Sequence, residues 1–396
     1  MNQKNRINMW SAGFIILLFC SSCSLFNSFA DWNPDSSRIK KLDSALHDLY
    51  AYQDESGMKK VTSVLEEDRN NTYALALQAA FALHDQDGAG AFQEVNEAIS
   101  VNDDQALAHA IRAVYITTYE GNYNFAEIEA QKAIDADPKL SYAYVAYGQQ
   151  ELYREDYKGA QVHLEYALKL EPDNIDAYHH LCRVYLNTGE YQKALENINK
   201  AIKINPNLDF LYICKGYSHY SLGDNDSALS DFTEAINLET RDFYAYWYRA
   251  WLNSNNGDNK ASLEDYLKAI ELNPNDASSY NGAAYSMALL DQDLDKALEY
   301  VQTSLQLRPD SENAMDTQAF ILYRMGNYSE AAIMFSELIE QDHTYSYYGR
   351  GMVNYETGNI ENAISDFQHF LESNPDSPQC EEVETYLKSI SAAPSN

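Results

Sequence analysis

Apolar positions between Ile175 and Pro206 fall into two helical patterns separated by a short polar turn at Gly189. Apolar residues recurring at i, i+3, i+4 and i+7 give each helix one stripe to bury against a neighbour. The same two-helix pattern returns along most of the chain. It is marked by a small residue in each second helix: Ala91, Ala126, Ala160, Ala194, Ala228, Ser262, Ala297, Ala331 and Ala363, spaced 32 to 35 residues apart. A second series follows seven residues later, at Ala98, Ala133, Ala167, Ala201, Ala235 and Ala269, then gives way to Ser304, Leu338 and Phe370. Small side chains at this spacing let one helix face lie close against its neighbours, where bulk would force the helices apart.

Punctuation keeps the same period. Turn glycines stand at Gly121, Gly189, Gly223, Gly257, Gly326 and Gly358. Prolines close units at Pro138, Pro172, Pro206, Pro274, Pro309 and Pro375, with Thr240 and His343 in the equivalent places of two others. A proline there cannot continue the preceding helix. Ahead of the clear repeats, residues 38–71 predict a degenerate helix pair. Leu42, Ala45, Leu46 and Leu49 mark its first helix, Gly57 and Met58 its turn, and Val61, Val64 and Leu65 its second helix. Such a pair suits an end cap over the terminal apolar face of an array. Residues 376–396 predict a capping helix and tail, with Ser377 as N-cap and Pro378 at the first helical position.

This pattern resembles the tetratricopeptide repeat family. Tyr144 with Gly148, Tyr212 with Gly216, and Tyr347 with Gly351 match its signature positions; Tyr178, Tyr246 and Tyr280 keep the aromatic but are followed by Cys182, Ala250 and Ala284. The resemblance covers residues 72–375, about nine repeats. It implies an all-α fold, a right-handed α-solenoid of stacked helix-turn-helix units whose first helices line a concave groove. It implies no chemistry by itself.

On that geometry the groove is rich in aromatic residues, above all from Phe243 to Trp251. Packing between repeats needs roughly one aromatic per first helix, here Tyr246. Tyr244, Trp247, Tyr248 and Trp251, with Tyr217 and Tyr220 from the preceding repeat, exceed that need. They are candidates for binding a ligand, because Tyr and Trp join an apolar body to a polar tip. The alternative is that they fill the interior and the seams between repeats. His179, His180 and Arg183 form a small basic cluster, read either as an anion contact or as partners for nearby acids.

Residues 1–22 read as a signal peptide, with Lys4 and Arg6 ahead of a short hydrophobic run ending at Cys20. That run is too short to span a bilayer. Cys20-Ser21-Ser22-Cys23 resembles a bacterial lipobox, although Cys20 stands where leucine is usual. It implies lipidation of Cys23 and membrane attachment through acyl chains. Cleavage after Ala30, releasing a soluble periplasmic or secreted protein, and an uncleaved anchor remain alternatives. Residues 23–37 would then be a tether.

Charge narrows the partners. The chain has 60 acidic residues against 28 basic ones, a net charge of −32. Such a surface repels phosphate backbones, so nucleic acid is excluded as a partner. Cys182, Cys214 and Cys380 lack metal-ligand spacing, and the first two fit helix packing. No zinc motif, phosphate-binding glycine loop or nucleophile elbow occurs. No enzyme, cofactor or metal is therefore expected. The expectation is a membrane-anchored scaffold of the bacterial cell envelope that binds other proteins or peptides in an aromatic groove, possible roles lying in assembly of envelope machinery. The alternative is a carbohydrate-binding or polysaccharide-export accessory protein, since aromatic faces also stack on sugar rings.

Overall fold

The computed structural model describes residues 34–392. The leader, and with it the lipidation expected at Cys23, lies outside the described residues. The described chain is an all-α solenoid of helix-turn-helix repeats, without strands among the described residues. It divides into two compact units between Pro206 and Asn207.

The first unit contains α1 (Pro34–Tyr50), α2 (Asp54–Glu67), α3 (Thr72–His84), α4 (Gly88–Val101), α5 (Ala106–Tyr115), α6 (Tyr123–Ala136), α7 (Ser141–Tyr153), α8 (Tyr157–Leu170), α9 (Ile175–Asn187) and α10 (Tyr191–Ile204). The second contains α11 (Asp209–Ser221), α12 (Asn225–Asn237), α13 (Phe243–Asn255), α14 (Asn259–Leu272), α15 (Ala277–Leu289), α16 (Leu294–Leu307), α17 (Glu312–Arg324), α18 (Tyr328–Glu340), α19 (Ser346–Glu356), α20 (Ile360–Ser373) and the closing helix α21 (Cys380–Ala392).

The small-residue series sits where close packing needs it. Every member of the first series, from Ala91 to Ala363, is fully buried, and Ser262 in that series bonds to Ser286 across the seam at 3.1 Å. Gly216 shows how tight the contact is: an added Cβ would stand 2.8 Å from the Phe232 ring. Cys182 and Cys214 are buried thiols. Many of the helices begin on Asp or Asn side chains that accept a backbone N–H of the first turn, as Asn174 does from Ala177 and Asp258 from Ala261. Buried acids on second helices take cations from first helices of the same repeat. Arg249 holds Asp265 at 2.8 and 2.7 Å, and Arg350 holds Asp366 at 3.0 and 2.7 Å.

Three local differences from the periodic pattern matter below. Helix α1 begins at Pro34 rather than near Arg38. The turn of the first pair falls at residues 51–53, with Tyr52 at φ 52°, and Gly57 lies inside α2 against the Phe81 ring. Close approach, not turning, therefore explains that glycine. Finally, Pro378 and Gln379 form a turn and α21 begins only at Cys380, leaving both residues to meet other helices.

Candidate functional site

The second unit encloses a groove of about 510 Å³, within the usual size range for ligand pockets. Its floor comes from equivalent places on successive first helices. Trp247, Asn281 and Asp316 each stand four residues after the first residue of their helix, which is Phe243, Ala277 and Glu312 respectively. Trp251 and Tyr285 follow one turn on, and Asn255 and Leu289 one turn further. Tyr345, Pro378 and Gln379 close the far side, and Gln379 Nε2 donates to Tyr285 Oη at 3.4 Å.

The polar groups of this groove are unevenly satisfied. Trp247 Nε1 and Asn281 Oδ1 are buried without a hydrogen-bond partner. Leaving such a group unpaired costs about 1–3 kcal/mol, so each marks a place where a ligand atom would be welcome. Asp316 accepts a hydrogen bond from Ser346 Oγ, and His343 Nδ1 lies 3.8 Å from its Oδ1. Burial nonetheless raises the Asp316 carboxyl to about 6, against the opposing pull of Ser346 and His343. Burial also raises the phenols of Tyr285 and Tyr345, which stay neutral.

Of the residues expected in the groove, Trp247 and Trp251 line it. Tyr217, Tyr220 and Tyr248 instead pack on one another: the Tyr217–Tyr248 centroids are 4.7 Å apart and the Tyr220–Tyr248 centroids 5.5 Å. Tyr248 stacks on Phe232 at 5.4 Å, and Tyr220 meets Trp251 edge-on at 5.3 Å. These rings build the wall that holds the two tryptophans. Tyr244 is 47% exposed and lies against Phe243. Asp316, Arg308 and Gln379 are lining residues that the aromatic pattern did not reveal. Asp316 could have been found by counting register from Trp247 and Asn281; Gln379 had no such signal.

His179, His180 and Arg183 belong to the first unit, and of this cluster Arg183 supplies the charge while the two rings do not. Burial and the neighbouring His180 and Arg183 hold His179 well below the ordinary imidazole range, and burial with Arg183 lowers His180 to about 4. Both rings are neutral at neutral pH. The Arg183 guanidinium lies over the Tyr153 ring at 5.0 Å.

The first unit turns its own chain inward at this level. Tyr52 Oη donates to Asp176 Oδ1 at 2.5 Å, and Asn205 Nδ2 donates to the carbonyls of Ala51 and Tyr52 at 3.2 Å each. The Tyr52 ring stacks on His84 at 3.7 Å, and His84 Nδ1 bonds to Asp54 at 3.0 Å. Desolvation opposes the charge on His84, but Asp176 and Asp54 outweigh it and raise the imidazole to about 9. Asp176 is correspondingly lowered to about 2 despite its burial, by His84 and Tyr52.

Among the described residues no group of three or more metal-binding side chains converges, and no helix is long and apolar enough to cross a membrane. Tetratricopeptide repeat models match residues 151–212, 215–277 and 317–378. No curated protein matches the chain. Among solved structures it is similar to a chain of the APC/C hetero-tetramer Cut9–Hcn1, with a TM-score of 0.62 at 16% identity over 73% of this chain and 56% of that one. The present chain thus spans little more than half the length of that relative. The pilF protein of Pseudomonas aeruginosa gives 0.43 at 19% identity, covering 52% of this chain and 94% of that one. YrrB, described as a repeat protein with an unusual peptide-binding site, gives 0.39 at 22% identity, covering 47% and 95%.

Proposed function

The chain belongs to the tetratricopeptide repeat family, and from that premise we propose a non-catalytic scaffold of the bacterial cell envelope that binds a peptide or helix in the groove of its second unit. The repeats make it a protein–protein interaction scaffold. The observation that carries the finer reading is the unpaired buried pair, Trp247 Nε1 and Asn281 Oδ1, in the floor of one groove. One is a donor and the other an acceptor, the pairing that a peptide group needs. Trp247 and Trp251 supply the apolar surface that dominates such contacts.

Crosslinked capture from native membranes, with wild-type protein and the Trp247→Ala/Trp251→Ala variant side by side, tests this. Each truncation is expected to cost about 2 kcal/mol in binding. A partner held equally by the folded double variant places the site elsewhere. Protease treatment of the extract separates the carbohydrate alternative, because peptide ligands are destroyed and glycans survive. The envelope location rests on Cys23. Cys23→Ser is expected to release the protein from the membrane fraction, and unchanged tight association would remove the lipid anchor from the proposal.

A further inference from the structure

We propose that the groove of the second unit reads a cationic side chain, a lysine or arginine of the bound peptide, with Asp316 as its counter-charge and Trp247, Tyr285 and Tyr345 as its walls. This rests on the peptide reading above and adds the chemistry of the ligand.

Five observations converge on it. Asp316 is a buried carboxylate facing a cavity, with its side chain only 14% exposed. Its neighbours leave its charge incompletely balanced: Ser346 is neutral, and His343 stands 3.8 Å away, beyond a good hydrogen bond. That imbalance is what lets burial raise its carboxyl. A ligand cation would restore the balance.

The walls favour the same charge. Trp and Tyr rings carry negative faces that attract ammonium and guanidinium groups. The groups facing Asp316 across the groove are Tyr285 and Tyr345, both neutral, while Arg308 is exposed at the end of α16. Asn281 Oδ1 is a free acceptor for a cationic N–H, and Trp247 Nε1 a free donor for the adjoining peptide carbonyl. An anionic ligand would meet Asp316 directly, and a neutral one would leave its charge unanswered. The net charge of −32 works in the same direction at long range, drawing basic segments toward the protein.

An addressed library of heptapeptides, probed with the full chain, provides the test. Wild-type protein is expected to select peptides with lysine or arginine at one position. Replacing that arginine by citrulline, which keeps shape and removes charge, should weaken binding by on the order of tenfold. Asp316→Asn keeps an acceptor for Ser346 and should bind both versions alike. Because a cation needs Asp316 ionised, wild-type binding should be about tenfold weaker at pH 5 than at pH 7, and this dependence should vanish in Asp316→Asn. Selection of peptides without a basic position, or a preference that survives Asp316→Asn, overturns the inference while the peptide reading stands. Failure of wild-type protein to select any peptide overturns both.

Discussion

The two units use one repeat to build two different interiors. The first fills its interior with its own chain: the turn at residues 51–53 meets Asp176, His84 and Asn205, and the charges there are paired. The second leaves an open groove whose carboxylate, indole N–H and amide oxygen have not found equivalent partners. Both interiors hold buried polar atoms without hydrogen bonds, among them His84 Nε2, Gln150 and His180 in the first and Trp247 and Asn281 in the second. The difference is that the second set lines a cavity large enough for a ligand. Repeat packing is thus indifferent to what the first helices enclose. A repeat protein can close one stretch upon itself and keep another for a partner.

The comparison is broken most severely at Asp176. Asp176→Ala removes the acceptor of Tyr52 Oη and leaves His84 with Asp54 alone in a buried site, and a loss of about 4 kcal/mol in the stability of the first unit is expected. Urea unfolding with hydrogen exchange should show α1 and α2 losing protection while α15 to α19 keep theirs. Equal loss in both units would mean that the paired interior is not what holds the first one closed.

Next in size is the pH response, which should separate the units by the range in which each loosens. His84 is raised to about 9 and Asp176 lowered to about 2. The His84 contribution is complete below its unfolded value of about 6.5 and is lost as pH rises through 9. That of Asp176 is complete above about 3.9 and is lost as pH falls through 2. The first unit should therefore be firmest between these unfolded values. It should loosen by up to about 3 kcal/mol on the alkaline side. Asp316 in the second unit is raised to about 6, so its contribution is already lost as pH rises through that value. Hydrogen exchange of the two units at pH 5, 7 and 9 checks both ranges: the second unit should loosen between pH 5 and 7, the first between pH 7 and 9.

Two smaller effects probe the packing that the units share. Gly216→Ala places a methyl 2.8 Å from the Phe232 ring, and overpacking of about 2 kcal/mol is expected in the second unit, read as a shift in denaturation midpoint. Gly189→Ala meets no atom within 4 Å, but its φ of 76° is left-handed. A loss of about 1 kcal/mol in the first unit should follow from backbone strain alone.

Much of the fold was legible because close helix packing leaves a periodic trace. Ala160, Ala194 and Ala228 are small for the same steric reason, so they repeat. The groove was legible in part for a related reason, since Trp247, Asn281 and Asp316 share one register position. Trp247 stood out as a rare residue type. Asp316 was hidden among 60 acids, where its charge carried no signal. The clusters around Tyr217, Tyr220 and Tyr248 read equally well as ligand contacts or as interior filling, because both uses demand an aromatic ring.

Local steric rules thus made the sequence sufficient for the repeat and the all-α class. Those rules act over one or two turns and recur every 32 to 35 residues. Only the tertiary structure decided which interior is closed and which is open. That outcome depends on pairs such as Tyr52 with Asp176, 124 residues apart, and Tyr285 with Gln379, 94 apart. Such contacts occur once and leave no period. They also decide charge state, for burial beside Arg183 makes two histidines neutral while burial between two aspartates makes His84 a cation.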